Sequence, residues 1–551
     1  MKKFLYHFMV LVAAAIATCS TIVSCSTNEL EAENNENNEV EVEKEKTLFS
    51  SGNNTTRTSM DAQRKFYWSE GDQIYVNTTG DTYQRTSSIT LSSDKRTADF
   101  LLEGISLEEP TCSVMYIGNG TNTASTTTDD MEVTILNSQV QSEWDNGDHV
   151  GPSGDCGLDL AIRNETSGKY TFKLNHKAAY LVFQPYKIAS VTKKWTLMKI
   201  EIITDGTTSV AGTYPFGTGQ LDIDNATKKS NKVTFTCGTN GFDLDFKPEP
   251  SASGKSCFAV IQPGTHTITI RYTIKPEVSV NNVEGATFTI EKTIASRTYN
   301  IGGVTTIKHE LGAEVFSNEL YHMWDAKNHY WYGVSSENMP NYLGASWSDY
   351  ATSASDNEPG GRNRWWNEPI QTGDIYVAQN SCKNLPNINA ISWYIVKGDP
   401  RWENSYPWFF TNNNGSHVYT YGVWLLKWDN IPGKFDPSED KVNCSKDVDG
   451  EDVRLRYGAS SAKSYYNSGE EYKSGRPSAT EIGKYFFLPA ASHCEDGVLN
   501  NTIHGCYWTS SPVPGDYNRS YPFIFRNTRI YVEVGQLHRT GGRIVAPDWF
   551  K

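Results

Sequence analysis

Beyond residue 25 this chain of 551 residues has no apolar run long enough to cross a bilayer as a helix, which excludes a helical membrane-spanning body for that part. It also lacks an excess of basic residues. With 50 Lys and Arg against 64 Asp and Glu the formal net charge is −14, and a chain of that sign has no electrostatic footprint for nucleic acid, so nucleic acid is excluded as a partner. Long helical periodicity is missing, which excludes an all-helical fold. Catalytic signatures are missing as well. Gly254-Lys255-Ser256 ends like a phosphate-binding loop, but Glu249 stands where its first Gly belongs. His309-Glu310 is followed by Ala313 where a zinc-binding pair needs a second His, there is no Gly-x-Ser-x-Gly elbow, and no sequence feature sets a base beside a cysteine. The expectation is a protein that is not an enzyme, with no catalytic residue and no cofactor. Tryptophan is scarce over the first part: of 15 in all, only Trp68, Trp144 and Trp195 precede residue 320.

What is present begins with an export signal. Met1-Lys2-Lys3 is followed by an apolar core over residues 8–17 and by Ile22-Val23-Ser24-Cys25, the layout of a lipoprotein signal peptide over residues 1–24, with Cys25 as the lipidated first residue. Cys19 fits less well because Thr18 precedes it, and an ordinary signal peptide cleaved nearby is the alternative. Either way the chain is exported. Residues 26–46 carry eight glutamates against two lysines and too few aliphatic side chains to offset their ordering entropy, so residues 25–56 are assigned to an acidic, disordered tether. Glu29, Glu31 and Glu33 suit an address for the outer face of the outer membrane, or a mere spacer. The expected location is the cell outer membrane, held by lipid and facing outward or built into a fimbrium.

Residues 57–315 read as β. Tyr170, Phe172, Leu174, His176, Ala178, Tyr180 and Val182 alternate, as do Ile268, Ile270, Tyr272 and Ile274, and Gly, Asn, Asp, Thr and Pro clusters separate further short runs. The fold expected is mostly β: two tandem β-sandwiches over 57–167 and 168–315, then a loop-rich, Trp-rich α+β domain over 316–551, where tryptophan becomes frequent. His176 interrupts its apolar row and is expected to be a core histidine bonded to a backbone group, since no second ligand lies at a metal spacing.

Five pieces in order resemble the fimbrillin-like pilins and lipoproteins of Bacteroidales-type bacteria: Thr56-Arg57-Thr58; Phe66-Tyr67-Trp68-Ser69-Glu70-Gly71-Asp72-Gln73-Ile74; Phe172-Lys173-Leu174-Asn175-His176-Lys177-Ala178-Ala179; Ala259-Val260-Ile261-Gln262-Pro263; and Thr298-Tyr299-Asn300-Ile301. The resemblance implies two β-sandwiches, removal of an N-terminal strand after an Arg by a trypsin-like protease, and strand addition from a neighbouring pilus subunit into the emptied groove. It points to Arg57 as the cleavage position, with Arg64 second; the plain alternative is a polar residue leading into the first strand.

The C-terminal third has a separate resemblance. Tyr485-Phe486-Phe487-Leu488-Pro489-Ala490-Ala491, Gly505-Cys506-Tyr507-Trp508-Thr509-Ser510-Ser511 and Arg539-Thr540-Gly541-Gly542-Arg543-Ile544-Val545-Ala546-Pro547 are similar to the major paralogous (FISUMP-type) domain of bacterial surface proteins, related in fold to C-type lectins. Ile391-Ser392-Trp393-Tyr394 and Gly422-Val423-Trp424-Leu425 fit as its strands. Asn367-Glu368-Pro369 and Trp428-Asp429-Asn430 have the wrong order for a calcium-dependent sugar site, so no sugar ligands are carried over.

Trp365, Trp366, Trp402 and Trp408 stand among Asn, Gly and Ser, where exposed rings would stack on a glycan; large side chains filling a loop-rich interior are the alternative. Asp447-Val448-Asp449-Gly450-Glu451-Asp452 starts like a calcium loop, but it lacks the later bidentate Glu, so Asp447, Asp449 and Asp452 are weak metal candidates and a solvated acidic turn is preferred. Besides Cys25, eight cysteines remain in the exported chain. Cys494 and Cys506 flank a short loop a disulfide would close, while Cys382 with Cys444, Cys237 with Cys257 and Cys112 with Cys156 are matched by domain alone. The function expected is a pilus-associated adhesin at the tip or in an accessory position, partnered by pilus subunits, by the outer membrane through its lipid, and by a glycan or a host or bacterial surface protein. A glycan-binding lipoprotein of a nutrient-uptake system is the alternative, and a surface hydrolase comes last.

Overall fold

A computed structural model describes residues 45–52, 59–61, 63–118, 120, 122–246, 255–366, 375–455, 463–516, 518–532 and 538–551. The chain is mostly β, with strands throughout and one α-helix among the described residues.

Alternation builds the first sheet. In β1 (Lys46–Ser51) the side chains of Thr47, Phe49 and Ser51 are buried, while Lys46 and Leu48 face out. With β2 (Tyr75–Thr79), β3 (Ala98–Glu103), β4 (Thr111–Tyr116), β5 (Gly157–Arg163) and β6 (Tyr170–Phe172) it belongs to a ten-stranded sheet, where β1 lies between β3 and β6 and the order continues through β5, β4 and β2. Phe49, Trp68, Val76, Phe100, Val114 and Phe172 pack into its core. The expectation of a disordered tether as far as residue 56 is corrected here: β1 lies inside that stretch, because alternate Thr47, Phe49 and Ser51 bury well though their neighbours are polar.

The second core lies between two further sheets. One joins β7 (Ala179–Lys187), flanked by β10 (Cys257–Ile261) and β13 (Val304–Leu311); the other runs from Ser138–Gln141 through β9 (Lys232–Cys237), β8 (Trp195–Thr204) and β11 (Gly264–Pro276) to β12 (Phe288–Tyr299). Ile268, Ile270, Tyr272 and Ile274 face this core, as their alternation implies. Two buried glutamines tie the sheets: Gln139 exchanges hydrogen bonds of 2.7 and 2.9 Å with the main chain of Val260, while the Gln141 amide donates to Ser256 O and accepts from Phe258 N. The expected cut at 167/168 does not follow the cores. Met131, Val133, Ile135 and Val150 precede it yet pack into the second core, the strand that holds Val133 and Ile135 pairing with the later Ala211–Pro215, whereas Tyr170, Phe172 and Leu174 come after it and stay in the first.

The third core gathers aromatic residues from Phe316 onward. Short β14 (Glu314–Phe316) pairs in parallel with β15 (Trp408–Phe410), and β16 (Gly422–Leu426) pairs antiparallel with β17 (Tyr485–Pro489). The expected strand at 391–394 is instead part of α1 (Ile388–Lys397), capped by Asn387, whose side chain accepts from Ala390 N. Four residues cannot distinguish the two periods; Ile388, Ile391, Tyr394 and Ile395 recur at helical spacing and are all buried. The second and third cores touch, Trp195 Nε1 donating to Gly415 O at 2.8 Å. Among the described residues no helix is long and apolar enough to cross a membrane, which does not bear on a β-barrel.

Candidate functional site

The feature that sets the first sheet apart is its N-terminal strand, held on both sides. β1 runs antiparallel to β3, with Phe49 opposite Phe100, and parallel to β6, with Phe49 opposite Tyr170. Phe49 is fully buried and its ring stacks on Tyr170 with centroids 5.0 Å apart. The small inward residues supply polar anchors. Ser51 Oγ accepts from Trp68 Nε1 at 2.9 Å and from Ala98 N at 2.8 Å; Thr47 Oγ1 donates to Ile105 O and accepts from Leu107 N. On the outer face Ser50 Oγ donates to Asp99, whose carboxylate also pairs with Lys169 at 3.0 Å. One strand in the middle of the sheet is thus supplied by the beginning of the described chain.

Arg57 and Cys25 lie outside the described residues. The chain on the C-terminal side of Arg57 is pinned: Met60 is buried in the second core, Ser59 Oγ donates to Asp148, and Gly147 packs so closely on the Met60 backbone that a Cβ there would collide with its carbonyl oxygen. Arg64 is exposed at the tip of a two-stranded hairpin, Ser59–Met60 with Phe66–Tyr67, at a φ of 64° with its N–H donated to Asp61 O. A protease binds its substrate extended. The Arg64 turn has to open first.

His176 is half-buried and not fully in the core, and its partners are side chains and not the expected backbone group. Its Nδ1 lies 2.7 Å from Asp155 Oδ1, and the Tyr180 hydroxyl, its pKa raised by burial and by Asp155, donates to the same carboxylate.

The tryptophan expectation divides. Trp402 and Trp408 are interior, at 8% and 1% exposure, and Trp408 Nε1 donates to Tyr421 O. They are corrected from exposed stacking rings to core, because the loop-rich body has few long strands and fills its interior with indoles. Trp365 and Trp366 are half-buried neighbours with ring centroids 6.1 Å apart. The guanidinium of Arg539 lies over Trp366 at 5.7 Å and over Trp324 at 4.4 Å, and its burial holds its pKa down to about 10.

The acidic turn holds a cation of its own. Lys463 Nζ lies 2.7 Å from Asp447, 2.5 Å from Asp449 and 3.3 Å from Glu451, where converging carboxylates would otherwise meet an ion. Burial would raise the Asp447 carboxyl, but Lys463 and the Tyr465 hydroxyl hold it below the usual carboxylate value. Asp452 turns away to Arg454 at 2.8 Å. Among the described residues no cluster of His, Cys, Asp and Glu is arranged to hold a metal.

All eight cysteines among the described residues are buried, separate thiols. The expected Cys494–Cys506 bridge is absent. Cys494 pairs across a short hairpin with Leu499 and Cys506 pairs with Ile524, and both thiols lie near Arg543. Cys237 and Cys257 are in hydrogen-bond contact.

Sequence reading missed β1 itself. The available signal was the alternation of Thr47, Phe49 and Ser51, directly after the glutamate-rich run.

No protein-family model matches the chain, and no curated protein matches it. Among solved structures the chain is similar to a candidate cell adhesion protein from Bacteroides ovatus (14% identity, 48% of this chain and 92% of that one, TM-score 0.29) and to a fimbrial assembly protein from Parabacteroides distasonis (10% identity, 49% and 92%, TM-score 0.25). A fimbrial protein from Bacteroides ovatus matches over more of the chain (11% identity, 91% and 98%, TM-score 0.23). Likeness at this level carries no inference about what this chain does.

Proposed function

We propose that this is a non-enzymatic, fimbrillin-like surface adhesin whose first sheet exchanges its N-terminal strand for one from a neighbouring subunit. The observation that supports this reading most is the position of β1. It fills a slot between β3 and β6, and the segment joining it to the pinned residue Met60 contains Arg57. Cleavage after Arg57 would leave β1 attached by noncovalent contacts alone, and the slot it vacated would present unpaired main-chain groups on both sides, the arrangement that strand addition uses.

Lipidation at Cys25 would hold the uncleaved chain on the outer membrane, and pilus subunits would be its partners. A tip or accessory place in the fimbrium belongs to the same reading. The third body, lectin-like by its sequence motifs, would be the binding head, facing a glycan or a surface protein.

The test is limited digestion of the folded chain with an arginine-specific protease, followed by mass spectrometry. A new N-terminus at Thr58, loss of residues 45–57, and uptake of a donor-strand peptide or of a second subunit are expected. Retention of β1 after cleavage, with no uptake of donor strand in excess, would sink the strand-exchange reading.

A further inference from the structure

The strand seated between β3 and β6 shows what that slot selects. Its three inward side chains are a hydroxyl, an aromatic ring and a hydroxyl at alternate positions, Thr47, Phe49 and Ser51. A strand that only completes a sandwich buries apolar side chains on its inward face. Here two of the three places are polar, and each is matched by groups of the slot.

At the first place the slot calls for one atom that both donates and accepts. Thr47 Oγ1 donates to Ile105 O at 2.8 Å and accepts from Leu107 N at 3.0 Å, which a hydroxyl does and an aliphatic side chain cannot. At the third place it calls for an acceptor of two bonds. Ser51 Oγ accepts from Trp68 Nε1 at 2.9 Å and from Ala98 N at 2.8 Å, using both lone pairs. Between them lies the aromatic place, where Phe49 is fully buried, stacked on Tyr170 at 5.0 Å and packed in one core with Trp68, Phe100 and Phe172. Water can pair with these polar groups while the slot is empty. An aliphatic strand in the same register would displace that water and leave Trp68 Nε1, Ala98 N, Leu107 N and Ile105 O covered with no partner. The outer face gives the direction: Lys46 stands opposite Glu103 and Ser50 opposite Asp99 in the antiparallel pairing with β3, and Ser50 Oγ donates to Asp99. At the ends, Gly104 N donates to Glu45 O at 2.7 Å and Gly52 N to Phe172 O at 2.8 Å, so residues 45–52 engage the slot.

We propose that the slot selects its donor by these groups. The strand that replaces β1 comes from a neighbouring subunit, carries Ser or Thr, then an aromatic residue, then Ser or Thr at alternate inward positions with a basic residue just before the first, and runs antiparallel to β3 and parallel to β6. This rests on the strand-exchange reading and specifies the partner's sequence. Trp68, Tyr170 and the main-chain amides of Ala98 and Leu107 are the determinants of that choice.

The experiment offers synthetic peptides in competition to the full chain after cleavage by an arginine-specific protease. The peptides are residues 45–52, their Thr47→Val, Ser51→Ala and Phe49→Ala forms, a form with both Thr47→Val and Ser51→Val, and one of the parent composition in scrambled order. The parent peptide should be taken up. Loss of either hydroxyl should weaken it about tenfold and Phe49→Ala about a hundredfold or more. In a chain carrying Trp68→Phe, which loses the indole donor, the preference for the parent over the Ser51→Ala peptide should shrink, a coupling that lost packing alone does not produce. Thermal denaturation checks that this variant folds, and the peptide series stands without it. A cleaved chain that takes up no peptide, the parent included, sinks the strand-exchange reading and this proposal together. Uptake of the doubly apolar or the scrambled peptide as tightly as the parent, or a Ser51 preference unchanged in folded Trp68→Phe, overturns the donor pattern and leaves strand exchange standing.

Discussion

Trp68 and Ser51 are joined by a hydrogen bond of 2.9 Å from the indole Nε1 to the serine hydroxyl, so a residue of the Phe66-Tyr67-Trp68-Ser69-Glu70-Gly71-Asp72 segment holds the last residue of β1. The same hydroxyl accepts from Ala98 N on β3. One small side chain therefore satisfies two buried donors that belong to different parts of the first sheet.

Ser51→Ala leaves both donors unpaired while changing almost no volume. A loss of about 2 kcal/mol is expected, since an unsatisfied buried donor is destabilising by roughly 1–3 kcal/mol. Chemical denaturation read by far-ultraviolet circular dichroism measures it, and a loss below about 0.5 kcal/mol would mean that the Ser51 contacts do not hold the strand.

Phe49→Ala acts on the same strand through packing. The ring is fully buried and stacked on Tyr170, and removing such a side chain is destabilising by about 3–5 kcal/mol. After cleavage at Arg57 that loss falls on a strand without a covalent tie. The cleaved variant should shed β1 and accept a donor-strand peptide faster than the cleaved parent, measured by native mass spectrometry over time. Equal rates would mean that Phe49 does not set the barrier to exchange.

How much of this was legible in the sequence depends on the element. The row Ile268, Ile270, Tyr272, Ile274 is a buried face of β11 because a long strand repeats its period often enough to be read. β1 was hidden because only Phe49 among its inward residues is apolar; Thr47 and Ser51 are held inside by hydrogen bonds to residues about 50 positions away. Trp402 and Trp408 misled for the opposite reason: their polar surroundings suggest exposure, yet the main chain folds over them. Glu314, Trp424 and Trp549 line one cleft, yet they are far apart in the chain and meet only in three dimensions. Lys463 lies beyond the acidic turn and pairs with it only through folding.

Lys463→Gln removes the ammonium that faces Asp447, Asp449 and Glu451 and leaves three carboxylates in close approach. The variant should be less stable than the parent in chelator and should regain stability in millimolar Ca²⁺, while the parent should not respond. Differential scanning calorimetry with and without the ion decides it. A parent that gains as much as the variant would show that the lysine does not take the place of a cation.

Cys237, the last residue of β9, and Cys257, the first of β10, are in contact through their thiols. In an oxidising compartment this pair should close before Cys494 and Cys506, and a bridge of that span stabilises by about 3 kcal/mol in the chain-entropy account. Peptide mapping of exported protein without reduction should find the Cys237–Cys257 link. A Cys494–Cys506 link in its place would reverse this order of closure.

His493 and His504 make the stability dependent on pH. His493 Nδ1 lies 3.0 Å from His504 Nε2, and burial, with Arg543 and Arg526 nearby, holds the two pKa values down to about 3 and about 4. At neutral pH both rings are uncharged, and the 3.6 Å approach of Glu495 to His493 is then no ion pair. The unfolded chain takes up protons near the ordinary histidine value of about 6.5, while the folded one does not until far lower, so the stabilisation is complete above about pH 6.5 and drains away as pH falls toward about 4. Each ring contributes a slope of up to about 1.4 kcal/mol per pH unit in that window. Urea denaturation at pH 7.5, 5.5 and 4.5 should show the decline, and His493→Gln with His504→Gln should flatten it. An undiminished slope in the double variant would assign the acid sensitivity to other groups, with half-buried His309, also held down to about 4 by desolvation, the first to replace.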